Sequence, residues 1–217
     1  MNQLDHIVIA ADNLEQGVEF IRNKLGVDIP AGGVHQTMGT HNHLMQLGNQ
    51  AYLELIAINP EAETPKWPRW FGLDQALMRE SLRQQPRLIT WVMNCENIQR
   101  LAQQAGIDIG VPTSLSRNQL RWEIALSDDG RLLGDGLMPY CIQWHSKPHP
   151  SGAMADLGCR LESLHIRHNR ADWLREKLAS IDAGHLVKVE SIADNETPSL
   201  AATILRPDGE RVILSSI

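Results

Sequence analysis

The pattern over residues 4–13, LDHIVIAADN, alternates in the manner of a strand and then reaches a helix start. Leu14, Val18, Ile21 and Leu25 recur at the spacing of one helical face, and Gly26 stops the run. Asp12, with Glu15 three residues later, has the form of a capping box at the helix start. Gly32 and Gly33 signal a turn, and strand-like stretches lie near 27–35, 41–47 and 51–58. The predicted order is β-α-β-β-β.

That order returns. Residues 88–97 read as a strand, Ile98, Leu101, Ala102 and Ala105 share a helical face, and Gly106 takes the place of Gly26. Strands follow near 107–111, 120–127 and 138–145. A third copy starts at about residue 160. In it Leu164 and Ile166 face one way on a strand, Leu174, Leu178 and Ile181 line a helix, and VKVESI, LAATILR and RVILSSI supply three strands. Residues 60–86 and 146–159, rich in Pro and charge, read as connectors, the first with a helix across Leu73–Leu82. The chain is therefore expected to be α+β, built from three βαβββ modules. Two of them (3–59 and 87–146, joined by 60–86) form a domain over 1–148, and the third occupies 158–217. Aligning the copies puts Thr90 at the place of His6 and Gln143 at the place of Glu54, with Ser215 there in the third copy.

Charge narrows the partners. The balance of 20 basic and 26 acidic residues gives −6, which argues against nucleic acid and anionic membrane surfaces. No apolar run approaches the roughly 20 residues of a membrane span, and the first residues lack the basic and apolar regions of a signal peptide. Cys95, Cys141 and Cys159 are odd in number and lack metal-type spacing. These features point to a reduced, cytoplasmic setting.

The stretches LDHIVIAADNLEQGVEF, GGVHQTMGTHNHLMQLG and AYLELIAI resemble the glyoxalase-like domains of the vicinal-oxygen-chelate superfamily, and RNQLRWEIAL and GLMPYCIQWH resemble that domain's second half. The LDH and YLEL motifs, with G-x-H-x-x-x-G-T-x-N at Gly33, His35, Gly39, Thr40 and Asn42, carry the likeness. The resemblance implies two modules side by side, their curved mixed sheets enclosing a cleft for a divalent metal (Zn, Ni, Mn or Fe). In the superfamily the ligands come from the first and last strands of each module, here His6, Glu54, Thr90 and Gln143. His6 and Glu54 suit such an ion and Gln143 offers a carbonyl oxygen, whereas Thr90 is a poor ligand and departs from the pattern. His35 lies in the motif and, with Glu54, is the candidate for moving protons. His41 and His43 share one face of the next strand and are weaker additions. Asn42, Arg117, Arg121 and Trp122 are candidates for holding substrate, the arginines through a carboxylate. Trp67 and Trp70 form either a lid or a plug in the first connector. A carboxylate on so apolar a strand as Glu54's requires a compensating partner.

Two functions fit this reading. One is a metal-dependent enzyme of lyase, isomerase or dioxygenase type acting on a small oxygen-rich substrate. The other is a metal-free protein that binds and sequesters a small molecule, as resistance-type members of the superfamily do. The unpaired third module further predicts a homodimer.

Overall fold

The computed structural model describes residues 1–48 and 50–217. The first module consists of β1 (Gln3–Ala10), α1 (Leu14–Leu25), β2 (Ala31–His35), β3 (Thr40–Gly48) and β4 (Ala51–Ile58). α2 (Ala76–Gln84) lies in the connector. The second module is β5 (Arg87–Asn94), α3 (Ile98–Gln104), β6 (Val111–Arg117), β7 (Leu120–Leu126) and β8 (Tyr140–Trp144). The third is β9 (Arg160–His168), α4 (Ala171–Ser180), β10 (Lys188–Ser191), β11 (Ser199–Leu205) and β12 (Arg211–Ser215).

Local chemistry sets the helix ends. Asn13, one residue beyond the expected Asp12, is the cap of α1 and accepts the Gln16 N–H through Oδ1 at 2.9 Å. Gln16 returns a side-chain oxygen to the Asp12 N–H, so a reciprocal box exists one position further along. Gly26 closes the helix at φ 71, a left-handed turn that suits a residue without Cβ. In the second module the expected strand at 107–111 is displaced. Gly110 (φ 89) turns the chain first, and β6 begins only at Val111.

The first two modules share one eight-stranded sheet in the order β2-β3-β4-β1-β5-β8-β7-β6. β1 and β5 run antiparallel at its centre, pairing His6 with Val92 and Val8 with Thr90. On its other side β1 runs parallel to β4, pairing His6 with Tyr52 and Val8 with Glu54. Alternation therefore puts His6, Val8, Tyr52, Glu54 and Thr90 on one face. The opposite face takes α1, where Gly17 permits close packing: a Cβ there would lie 2.5 Å from Leu55 Cδ1. The sheet curls until its two ends approach each other at Arg117, whose side chain lies against Gly33.

The third module keeps the βαβββ order of elements but pairs its strands as β10-β9-β11-β12. Its first strand sits inside the sheet, whereas β1 and β5 lie at the edge of their own modules. Leu164, Ile166, Leu200, Ala202 and Ile204 form its buried face. β9 lies against β3, and β11 and β12 lie against β5. Arg206 reaches Gly26 at the end of α1, and the Ser180 hydroxyl donates to the Ala105 carbonyl at the end of α3, tying this module to both helices.

Candidate functional site

The concave face of the large sheet carries a polar row within an aromatic wall. Glu54, buried on β4, is one end of it. Asn42 on β3 donates its amide to Glu54 Oε1 at 2.6 Å, and His6 Nε2 lies 3.6 Å from Glu54 Oε2. Asn42 Oδ1 in turn accepts the Gly33 N–H at 2.9 Å and Arg117 Nη1 at 3.3 Å. Arg117 also reaches His35 Nε2 at 3.3 Å, while His35 Nδ1 contacts Thr40 Oγ1 at 3.1 Å. The glycine pair expected as a turn is better explained by this approach. A Cβ on Gly32 would fall 2.4 Å from Asn42 Oδ1 and one on Gly33 would fall 3.2 Å from Arg117 Cδ.

Behind His6 stands a residue the sequence reading did not single out. Asp5 occupies a bulge in the β1–β5 ladder, between the pairs Leu4–Met93 and His6–Val92, which turns its side chain out of strict alternation. It is completely buried, receives Trp144 Nε1–H at 2.8 Å, and lies 2.7 Å from His6 Nδ1 and 3.0 Å from His149 Nε2. Burial alone would raise its pKa, yet hydrogen bonds and charge from His149 and His6 outweigh that and bring it to about 2. Asp5 is thus an anion that accepts His6 Nδ1–H and fixes the ring with Nε2 directed toward Glu54. His149 comes from the second connector, where its Nδ1 accepts the Ser151 N–H. A buried Asp inside an apolar strand, the same signal that exposed Glu54, was the clue available for it.

His35 is neutral in this setting. Burial drives its pKa down, Glu54 opposes the change, and Arg117 and His6 reinforce it, leaving it at about 4. Arg117 makes no ion pair with any carboxylate among the described residues. It is a half-buried cation whose polar contacts are an amide and an imidazole. The surrounding wall includes Tyr52, stacked on His6 at 4.4 Å between ring centroids, with Trp70, Trp122 and Trp144.

Other expected site residues fall elsewhere. The β5–β8 register pairs Val92 with Tyr140, just as β1–β4 pairs Val8 with Glu54. Tyr140 therefore holds the place of Glu54, and Gln143, three residues on, faces the other side of the sheet. There its side-chain oxygen accepts the Ile98 N–H at the start of α3. Thr90 does lie on the cleft face, buried, with no hydrogen-bond partner for Oγ1. Arg121 is exposed and outside the cleft. His41 and His43 share the face that pairs with Ala57 and Leu55, away from the polar row. The tryptophans divide: Trp70 is buried in the wall beside Phe71, whereas Trp67 is 55% exposed over an outer groove.

These residues do not fit a divalent ion. Catalytic sites of this kind hold the ion by three protein donors and an open position. Here His6 Nε2 and Glu54 Oε2 are the two available, and Asn42 already engages the other carboxylate oxygen. The third place is a threonine, and the fourth is Tyr140, whose hydroxyl donates to the Arg131 carbonyl at 2.7 Å. Among the described residues no group of three or more His, Cys, Asp or Glu is arranged to hold an ion.

Comparison with known proteins agrees with this fold. A hypothetical protein from Staphylococcus aureus is similar over 99% of this chain and 85% of its own, at 14% identity and a TM-score of 0.60. A mutant of 4-hydroxymandelate synthase from Streptomyces coelicolor aligns over 99% of this chain and 63% of its own, at 13% identity and a TM-score of 0.51. A methylmalonyl-CoA epimerase from Mycobacterium tuberculosis gives 16% identity, coverage of 69% and 91%, and a TM-score of 0.44. No curated protein matches. The model of the glyoxalase-like domain matches residues 4–181, most of the chain. By that match and by its paired βαβββ modules, this chain belongs to the glyoxalase-like domain family of the vicinal-oxygen-chelate superfamily.

Proposed function

We propose that the chain binds a small organic molecule in the cleft without a metal ion. The observation that carries this reading is the donor set: two of the four ligand places hold groups that can bind a divalent ion, and Arg117 supplies positive charge nearby. A second reading, metal-independent isomerase or lyase chemistry, draws on the His6–Glu54 pair. His6 Nε2 and Glu54 Oε2 lie 3.6 Å apart on the cleft face, so a ligand hydroxyl or acidic C–H placed beside them meets two groups able to exchange a proton.

The test is ligand screening by thermal shift, run with and without EDTA and with added Zn, Mn, Ni or Fe. A ligand at about 100 times its Kd stabilises by about 2.7 kcal/mol, on the order of 5–10 °C for a chain of this size. The shift is expected to survive EDTA. Stoichiometric metal that is lost in both His6→Ala and Glu54→Ala would overturn the metal-free reading in favour of the metal-dependent enzyme. Recovery of a chemically altered ligand would select the second reading.

We further infer a two-fold dimer through the third module. β12 is an edge strand with Ile213 63% exposed at its centre, and an open edge of this kind is normally covered.

A further inference from the structure

The polar row ends at Arg117, but open space continues beyond it. A cavity of about 350 Å³ lies between β2 and β6 and is bordered by His35, Arg117 and Trp122. It shares Met38, Trp70 and Leu115 with an outer groove of about 410 Å³ that runs beneath the exposed Trp67. Val111, Leu115, Leu126 and Trp70 give the groove an apolar lining, and Asp128 stands at its rim. Both spaces are of the size that holds small organic ligands. The arrangement thus joins a half-buried guanidinium lacking a carboxylate partner to a cavity of mixed lining, with Gln36, Thr37, Ser116 and Asn118 beside Met38 and Trp122, that leads outward into the apolar groove. An uncompensated cation of this kind is a site for an anion, and the planar fork of arginine matches a carboxylate.

We propose that the ligand is an amphipathic monocarboxylate: its carboxylate is held by Arg117 beside His35 and Asn42, and its apolar chain lies in the groove under Trp67. This rests on the metal-free reading above and names the ligand class. Three features support one carboxylate rather than two. Glu54 repels an anion pushed deeper than Arg117, Asp128 repels one at the rim, and the lining of the outer groove is mainly apolar. His35 Nε2 accepts from Arg117 and its Nδ1 faces Thr40, and Asn42 is committed to Glu54, so the guanidinium is the donor left for the bound carboxylate. Trp67 is the residue exposed enough to close over the chain without disturbing the core.

The experiment is titration calorimetry with hexanoate, octanoate and decanoate, each below its micelle concentration and both with and without EDTA. The matching primary alcohols and decanedioate serve as controls. Affinity is expected to rise about fourfold per added methylene, the transfer value of a buried CH₂. Alcohols and the diacid should bind about 10- to 100-fold more weakly, as should monocarboxylates to Arg117→Gln, for loss of a charge-assisted hydrogen bond. Arg117→Lys guards against a folding defect: it keeps the charge and should retain part of the carboxylate preference. Val111→Asp, at a position 56% exposed, should flatten the chain-length slope without altering the fold. Equal binding of acids and alcohols, or a slope unaffected by Val111→Asp, overturns the proposal. Metal-free binding of other small molecules with no carboxylate preference overturns it too while leaving the metal-free reading intact. Carboxylate binding that EDTA abolishes overturns the metal-free reading and this proposal together.

Discussion

Asp5 and His35 flank the same cleft and both titrate below their ordinary ranges, for different reasons. Asp5 is held down by its two histidine partners, whereas His35 is held down by burial of its ring. A lowered pKa in the folded state means stability present above the unfolded value and lost as pH falls toward the folded one. For His35 that window runs from about 6.5 to about 4. For Asp5 it begins only near 4 and ends at about 2. Urea unfolding of the wild type between pH 7 and pH 4.5 should therefore show a loss on the order of 1–3 kcal/mol that His35→Gln reduces. Identical pH slopes in the two proteins would sink this assignment. At this scale the motifs made His6, His35, Asn42 and Glu54 legible, since short-range spacing and alternation carry them. Asp5 and His149 were not legible as a pair. A bulge breaks the period that sequence reading relies on, and a connector residue 144 positions away has no period at all.

The first connector works as two elements with different duties. Phe71 adopts φ 58, an unfavourable conformation for an aromatic residue, and is held there by stacking on Trp70 and by edge contact with Tyr140. Next to it the Gly72 N–H donates to the Gly130 carbonyl, and a Cβ on Gly130 would collide with Arg69 O at 2.2 Å. This part is buried as a plug, whereas Trp67 beside it is exposed. Phe71→Ala should cost about 3–5 kcal/mol in chemical denaturation, whereas Trp67→Ala should fall within about 0.5 kcal/mol of wild type. Comparable losses in both would show that Trp67 is structural too. The sequence led to a helix in this connector, and α2 occupies Ala76–Gln84, slightly later than expected. The alignment that placed Gln143 beside the cleft slipped because apolar residues fill both faces of β8, leaving no alternation to set its register.

At the scale of the molecule, two modules share a sheet and the third stands apart with its own. Repeats made the element order visible in all three, but strand order is decided by long-range pairing that no local pattern records. The third module's first strand is central in its sheet, so β12 is left as an edge. Light scattering at micromolar concentration should give twice the monomer mass, and Ile213→Lys should return it to one. A monomeric wild type would discard the dimer.

The two ends of the large sheet approach each other without a backbone ladder between them. Every other pair of neighbouring strands is stitched by main-chain hydrogen bonds, but β2 and β6 meet through Arg117, whose reaches to His35 and Asn42 are both 3.3 Å. Parting these ends breaks two long polar contacts, whereas parting any other neighbours would tear a ladder. The wall of the cleft is therefore joined by the fewest polar contacts along this line. A guest that gripped that side chain would fasten the wall behind itself.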